Sequence, residues 1–186
     1  MLFLSDALAA SNRYDRQFRK YSKRFFGVGF DWKLFKAQAM AESGLEPSAK
    51  SSVGALGIMQ LMPSTFDEIK SKNPELTDVN DPEWNIAAGI YYDRVLWRLW
   101  AEPPSLPDRL GFVFGSYNAG RGTILRAKET ARSQNLDHTL WPSIESIAPT
   151  VPRWQHRQTI EYVRKIESTY SDLSQVEGGF GRLPGK

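Results

Sequence analysis

The chain has 186 residues, a net charge of +3, 41% hydrophobic and 24% charged side chains, which fits one globular domain with its own core. It contains no cysteine, which excludes disulfides, thiol nucleophiles and zinc–thiolate sites, and its two histidines are too few for most metal sites. No apolar run approaches the roughly 20 residues of a transmembrane helix, so we expect no membrane span.

The N-terminal 29 residues are predicted to form a basic, aromatic helical extension. Residues 1–10 lack a basic n-region and carry Asp6 within the apolar stretch, so they do not fit an export signal. The basic residues that follow are Arg13, Arg16, Arg19, Lys20, Lys23 and Arg24. We interpret them as a solvated helix face rather than a nucleic-acid site.

The next predicted helix runs from a cap at Asp31 to Gly44. Its apolar residues recur at helical spacing, and Gly44 with Pro47 provides a stop signal. Glu42 therefore falls in the last turn. A loop or short β-hairpin is predicted for residues 50–61, where glycines and serines are too dense for a helix.

Six further helices are predicted. Pro63 begins one, with Ser64 and Asp67 as a capping box, and Asp81-Pro82 begins another, which we expect to be the longest. The others cover residues 108–119, 123–133, 141–147 and 152–170, and Gly111 and Gly115 should permit close packing.

Strand signals are nearly absent, so the predicted fold is all-α, with at most a small hairpin in a lysozyme-like α+β arrangement. We expect a single compact helical domain over residues 30–170 and a flexible tail over 171–186.

Three motifs carry a resemblance to a known family. They are Glu42-Ser43, Gly54-Ala-Leu-Gly-Ile-Met-Gln-Leu-Met-Pro63 and Tyr117-Asn-Ala-Gly120. In this order they resemble the catalytic domain of lytic transglycosylases of the soluble type, which is related to goose-type lysozyme. The resemblance covers roughly residues 30–166. It implies cleavage of the β-1,4 bond between N-acetylmuramic acid and N-acetylglucosamine in peptidoglycan.

The resemblance also implies roles for individual residues. Glu42 matches the single acid and base of the family, and Ser51 matches the serine that holds the N-acetyl group. The implied substrate-binding set is Ser51, Gln60, Met62, Tyr117, Asn118 and Tyr162. In this set the tyrosines line the cleft, Gln60 and Met62 form its floor, and Asn118 holds a turn. No metal or organic cofactor is implied.

An acid that protonates a glycosidic oxygen must have a raised pKa, and a helix C-terminus disfavours the carboxylate form. A lone glutamate at a helix end is usually a solvated surface residue, but the motifs favour Glu42 as the acid. Glu46 lies four residues farther on, beyond the expected helix end, so the two need not share a face. One carboxylate suits a substrate-assisted route, and the resemblance implies a 1,6-anhydro product.

Two departures from the family pattern stand out. Tyr92-Asp93 replaces the common Tyr-Leu, which should change local packing. Gln158-Thr159 replaces Glu-Thr, which would remove a buried ion pair.

Two alternative functions remain. A goose-type lysozyme would let water capture the intermediate, and a non-catalytic wall-binding protein would keep only the fold. His138 and His156 do not indicate a serine triad, because no Gly-x-Ser-x-Gly motif is present. We expect a monomer that acts on peptidoglycan glycan strands at the cell wall or periplasm, not on nucleic acid. The setting would be phage-borne, secretion-system-associated or leaderless.

Overall fold

The computed structural model describes residues 12–179, and this part of the chain contains eight α-helices. They are α1 (Asp15–Phe26), α2 (Lys33–Ser43), α3 (Pro63–Lys72), α4 (Pro82–Leu99), α5 (Leu106–Ala119), α6 (Arg121–Ser133), α7 (Trp141–Ile147) and α8 (His156–Gly179), with a 3-10 turn at Ala148–Thr150. Between residues 12 and 179 the only β-type pairing is two isolated bridges, Lys50 with Leu56 and Leu56 with Leu61. The predicted helical fold, with at most a small hairpin, is confirmed.

Two predicted helix boundaries are set by local hydrogen bonds. Asp81 Oδ1 accepts from the backbone N–H groups of Glu83, at 2.8 Å, and Trp84, at 3.1 Å, so it caps α4 as expected. At the end of α2, Gly44 has a left-handed φ of 66° and donates its N–H to the Met40 carbonyl at 3.1 Å. This places Glu42 in the last turn, as predicted.

Three details of the helix prediction were wrong. Ser64 does not cap α3, because Pro63 is the first helical residue and Met62 takes the cap position without a side-chain bond. The longest helix is α8, with 24 residues, rather than α4, with 18. It begins at His156, after a left-handed Arg153, and runs past Tyr170 because no glycine or proline interrupts it before Gly178.

The chain divides into two compact units. The first holds the described residues up to Tyr91 and those from Thr169 onward, and the second is Tyr92–Ser168. The predictions for residues 1–10 and for the tail beyond Gly179 lie outside the described residues, and the domain limits at residues 30 and 170 stay predictions. None of the described helices is both long and apolar enough to cross a membrane.

Each unit has a buried aromatic and aliphatic core. That of the first unit includes Phe18, Tyr21, Phe35, Ile58, Met59 and Ile86. That of the second includes Trp100, Phe112, Phe114, Ile124, Trp141 and Ile144. In the second unit, a Cβ added at Gly111 or Gly115 would overlap the ring of Trp141. This confirms that the two glycines permit close packing of α5.

Candidate functional site

Glu42 lies in the first unit, half-buried in the last turn of α2. The next residue, Ser43, ties this helix end to the loop that follows. Its Oγ donates to the Ile58 carbonyl at 2.8 Å and accepts from the Glu46 N–H at 3.2 Å. The position of the Glu42 backbone is therefore fixed relative to the loop segment around Ile58.

Residues 49–61, here called the site loop, are held by their own backbone. Leu56 and Leu61 exchange both N–H···O bonds, at 2.9 and 3.0 Å, and Gly57 donates to the Ala49 carbonyl at 2.8 Å. Ser51 and Ala55 are joined twice. The Ser51 N–H donates to the Ala55 carbonyl at 3.0 Å, and Ser51 Oγ accepts from the Ala55 N–H at 2.9 Å. Ser51 thus has a structural role in the site loop, and its binding role stays a prediction.

Gln60 also holds the site loop. Its backbone is left-handed, with φ 46°, which is uncommon for a residue other than glycine. The side-chain Nε2 donates to the carbonyls of Gly57, at 2.9 Å, and Ala49, at 3.3 Å. Met62, the other residue of the predicted floor, is 40% exposed and occupies the cap position of α3.

Asn85, which is not among the predicted site residues, supports the site loop. This α4 side chain is 1% exposed. Its Oδ1 accepts from the Met59 N–H at 2.7 Å, and its Nδ2 donates to the carbonyls of Leu56, at 3.0 Å, and Val79, at 2.9 Å. Gly57 has φ 75°, and a Cβ there would overlap the Asn85 amide. The sequence offers one sign of this role: Asn85 is a polar amide that directly precedes apolar residues in the helix beginning at Pro82.

Glu46 does not have the properties of a general acid. It is exposed, and its carboxylate accepts from Ser48 Oγ at 2.6 Å and from the Ser48 N–H at 3.1 Å. These hydrogen bonds lower the pKa of Glu46, the bond from the side chain most of all. Positive φ angles at Gly44 and Leu45 end α2 before it. Glu46 therefore stays ionised near neutral pH and does not continue the helix of Glu42.

A groove of about 550 Å³ borders the site loop within the first unit. It is lined by Pro47, Ser48, Ala49, Lys50, Leu56, Gly57 and Asn80. Four of these seven residues belong to the site loop, so any change in the conformation of the loop would also change the shape of the groove.

The remaining predicted site residues lie in the second unit. Tyr117 is half-buried in the last turn of α5, and its ring lies 5.3 Å from that of Tyr92 at an angle of 59°. Tyr162 is 8% exposed on α8. Asp93, one of the departures from the family pattern, is fully buried on α4, where the family commonly has leucine.

Asn118 takes part in a chain of hydrogen bonds with Thr159, which belongs to the second departure from the family pattern, Gln158-Thr159. The Trp154 indole N–H donates to Thr159 Oγ1 at 3.0 Å, and Thr159 Oγ1 donates to Asn118 Oδ1 at 2.9 Å. These residues border a pocket of about 210 Å³ in the second unit. Its lining consists of Asn118, Ala119, Thr123, Arg153, Trp154, Gln155, Gln158 and Thr159.

The predicted site residues are thus divided between the two units. Glu42, Ser51, Gln60 and Met62 belong to the first, and Tyr117, Asn118 and Tyr162 to the second. Their roles toward a substrate stay predictions. Within residues 12–179, no three histidine, aspartate or glutamate side chains come together as a metal site would require.

Comparison with known proteins agrees with the motifs. The model of the transglycosylase SLT domain family matches residues 19–140. Membrane-bound lytic murein transglycosylase F of Maricaulis maris is 31% identical over 151 residues, which are 81% of this chain and 32% of that protein. The protein of the same name from Shewanella pealeana is 32% identical over 162 residues, 84% of this chain and 32% of that protein. The chain spans about a third of the length of these relatives.

Solved structures show the same fold. The 70 kDa soluble lytic transglycosylase of Escherichia coli has a TM-score of 0.64 at 24% identity, covering 88% of this chain and 25% of that one. An inactive glutamate-to-glutamine mutant of lytic transglycosylase Slt from Pseudomonas aeruginosa has a TM-score of 0.68 at 21% identity, with the same coverage.

Proposed function

Since this chain belongs to the transglycosylase SLT domain family, we propose that it cleaves the β-1,4 bond between N-acetylmuramic acid and N-acetylglucosamine in peptidoglycan. The product is 1,6-anhydro-N-acetylmuramic acid, and Glu42 is the single general acid and base. The match to this chain covers only 32% of each relative named for this activity, so the proposal concerns what this chain does itself.

The observation that carries the proposal is the position of Glu42. It sits half-buried in the last turn of α2, and Ser43 beside it bonds to the Ile58 carbonyl, so the backbone of Glu42 is held next to the site loop. A general acid needs such a fixed position beside the bond that it protonates. Glu46 is the next carboxylate along the chain, and its hydrogen bonds keep it ionised.

The proposed reaction uses Glu42 twice. Its proton passes to the oxygen of the leaving N-acetylglucosamine as the bond from that oxygen to C1 breaks. The acetamido group of N-acetylmuramic acid stabilises the electron-poor C1. The Glu42 carboxylate then removes the proton of the 6-hydroxyl while O6 bonds to C1. Glu42 ends protonated, as it began, and no water is consumed.

Intramolecular capture is favoured by proximity. The 6-hydroxyl belongs to the same ring as C1, so its effective concentration exceeds that of an external nucleophile when the ring conformation is reactive. Digested sacculi should therefore release muropeptides that are lighter by one water than hydrolysed ones, as mass spectrometry would show. A hydrolytic muramidase provides the reference digest. Reducing-end products would identify a lysozyme, and no release at all would favour the wall-binding alternative.

We expect Ser51→Ala to lower the turnover rate about tenfold to a thousandfold, as for loss of one hydrogen bond in the transition state. Ser51 Oγ accepts from the Ala55 N–H, which leaves its own hydrogen to donate to an acetamido oxygen. Losing the bond to Ala55 should separately cost about 1 kcal/mol of stability. Turnover per folded molecule and thermal unfolding separate the two effects.

The control for this experiment is Ser52→Ala, which removes an exposed hydroxyl from the neighbouring residue and should alter neither quantity. If Ser51→Ala lowers the melting temperature but turns over substrate like the wild type, Ser51 only caps the site loop.

We propose that the protein is a monomer and that it acts on glycan strands at the bacterial cell wall or in the periplasm. The relatives are named membrane-bound lytic murein transglycosylases, which supports a cell-wall location. Localisation of the labelled full chain in cells and light scattering of the purified protein test these two points.

A further inference from the structure

The pocket bordered by Asn118 and Arg153 has an unusual set of polar groups. Its lining contains one guanidinium, three primary amides and two hydroxyls, but no carboxylate. Its volume of about 210 Å³ corresponds to roughly seven water molecules, enough for one group of amino-acid size. A disaccharide is too large for it. The pocket therefore suits a single polar group projecting from a larger ligand.

Hydrogen bonds within the lining determine what Asn118 offers. An indole nitrogen only donates, so Thr159 Oγ1 must accept from Trp154 and has a single hydrogen left, which it gives to Asn118 Oδ1. The Asn118 amide is thereby oriented, and the group it has left to offer is its NH₂, a donor. Asn118 adds to the donor character of the pocket.

Arg153 supplies the only charge of the lining. It is exposed and has a left-handed φ of 59°, and within residues 12–179 no carboxylate pairs with it. The exposed amides of Gln155 and Gln158 stand beside it in the lining. A guanidinium with adjacent amide donors matches the two oxygens of a carboxylate better than a neutral sugar hydroxyl.

We propose that this pocket binds a carboxylate of the peptide stem of peptidoglycan, with Arg153 as its charge partner. The inference rests on the proposed function, which makes peptidoglycan the substrate. Where N-acetylmuramic acid carries a stem peptide, its lactyl carboxyl group is bound as a neutral amide, so the negative charges of such a strand lie on the peptides. The pocket therefore suits strands that carry their peptides.

Gln158 permits this role because it is neutral. The family resemblance leads one to expect a glutamate at this position. Its carboxylate would lie in the same pocket lining as Arg153 and would compete with an acidic ligand for the guanidinium. Gln158→Glu should therefore weaken binding of an acidic ligand while leaving a neutral one unaffected.

The test uses the full chain and two synthetic probes, a stem tripeptide with free carboxylates and the same peptide with every carboxylate amidated. The indole N–H signal of Trp154, assigned with Trp154→Phe, reports binding by NMR titration. We expect the acidic peptide to shift this signal and to bind about tenfold or more tightly than the amidated one, since charge-assisted hydrogen bonds account for the difference. Equal binding of the two peptides, or no binding of either, overturns the inference.

Arg153→Asn removes the charge with a residue that tolerates a left-handed backbone. It should lose about tenfold in affinity for the acidic peptide alone. The matched control is Arg157→Asn, which removes an equally exposed cation four residues away that does not line the pocket. If both variants lost the same affinity for the acidic peptide, Arg153 would act only through the overall positive charge of the surface, and its assignment to the pocket would be wrong.

Lysis of sacculi by the same preparations separates this inference from the proposed function. If the protein binds the peptide but does not lyse sacculi, the proposed function is wrong and the inference about the pocket stands. If it lyses sacculi but Arg153→Asn and Gln158→Glu leave its affinity for the acidic peptide unchanged, the inference about the pocket is wrong and the proposed function stands.

Discussion

Glu42→Gln is expected to lower the rate of wall lysis by about a thousandfold or more while the protein folds normally. Glutamine has nearly the shape of glutamate, so the half-buried position at the end of α2 is still filled. It cannot give a proton to the leaving oxygen, nor take one from the 6-hydroxyl. Turbidity of purified sacculi measures the rate, and circular dichroism during heating measures folding.

The matched control is Glu46→Gln, which makes the same chemical change four residues away. Glu46 is exposed, and its bonds to Ser48 stay within the same turn, so its loss should leave lysis within about twofold of the wild type. If Glu42→Gln lysed walls at a near-normal rate, or if the two variants lost activity equally, the assignment of the acid to Glu42 would be wrong.

Local chemistry explains why most helix boundaries were predictable. Asp81 before Pro82 caps α4, and a glycine with positive φ ends α2, because these residue types satisfy or stop the backbone wherever they occur. The same reasoning failed at Ser64, where a proline one residue earlier had already begun the helix. It also failed at the end of α8, which was predicted at Tyr170 from the composition of the tail. The helix continues to Gly179 because residues 171–177 contain no glycine or proline.

The candidate site was predictable only where its chemistry lies in continuous motifs. Glu42 and the site loop follow one another in the chain, so the sequence shows them together. The contribution of Asn85 depends on long-range contacts, since it reaches Met59 from 26 residues away. The link from Thr159 to Asn118 spans 41 residues. Such pairings follow from packing, which residue spacing in one sequence does not encode.

Asn85→Ala is the change for which we expect the largest loss of stability. It leaves the Met59 N–H and the carbonyls of Leu56 and Val79 without their amide partner in a nearly water-free position. The Leu56 carbonyl keeps its bond from the Leu61 N–H, whereas the Met59 N–H and the Val79 carbonyl lose the amide. A buried group that loses its partner costs about 1–3 kcal/mol, so we expect a total of about 3 kcal/mol. For a chain of this size the melting temperature should fall by about 10 °C.

The same variant should also lower lysis per folded molecule, because Leu56 and Met59 belong to the site loop that carries Ser51 and Gln60. Asn80→Ala is the control, since that exposed amide bonds only to nearby Asp78 and its loss should cost less than about 1 kcal/mol. Asn85→Asp keeps an acceptor for the Met59 N–H but no longer donates to the two carbonyls, and it introduces a buried charge, so it should not restore stability. A melting temperature within about 2 °C of the wild type for Asn85→Ala, with normal lysis, would show that the site loop keeps its conformation without this amide.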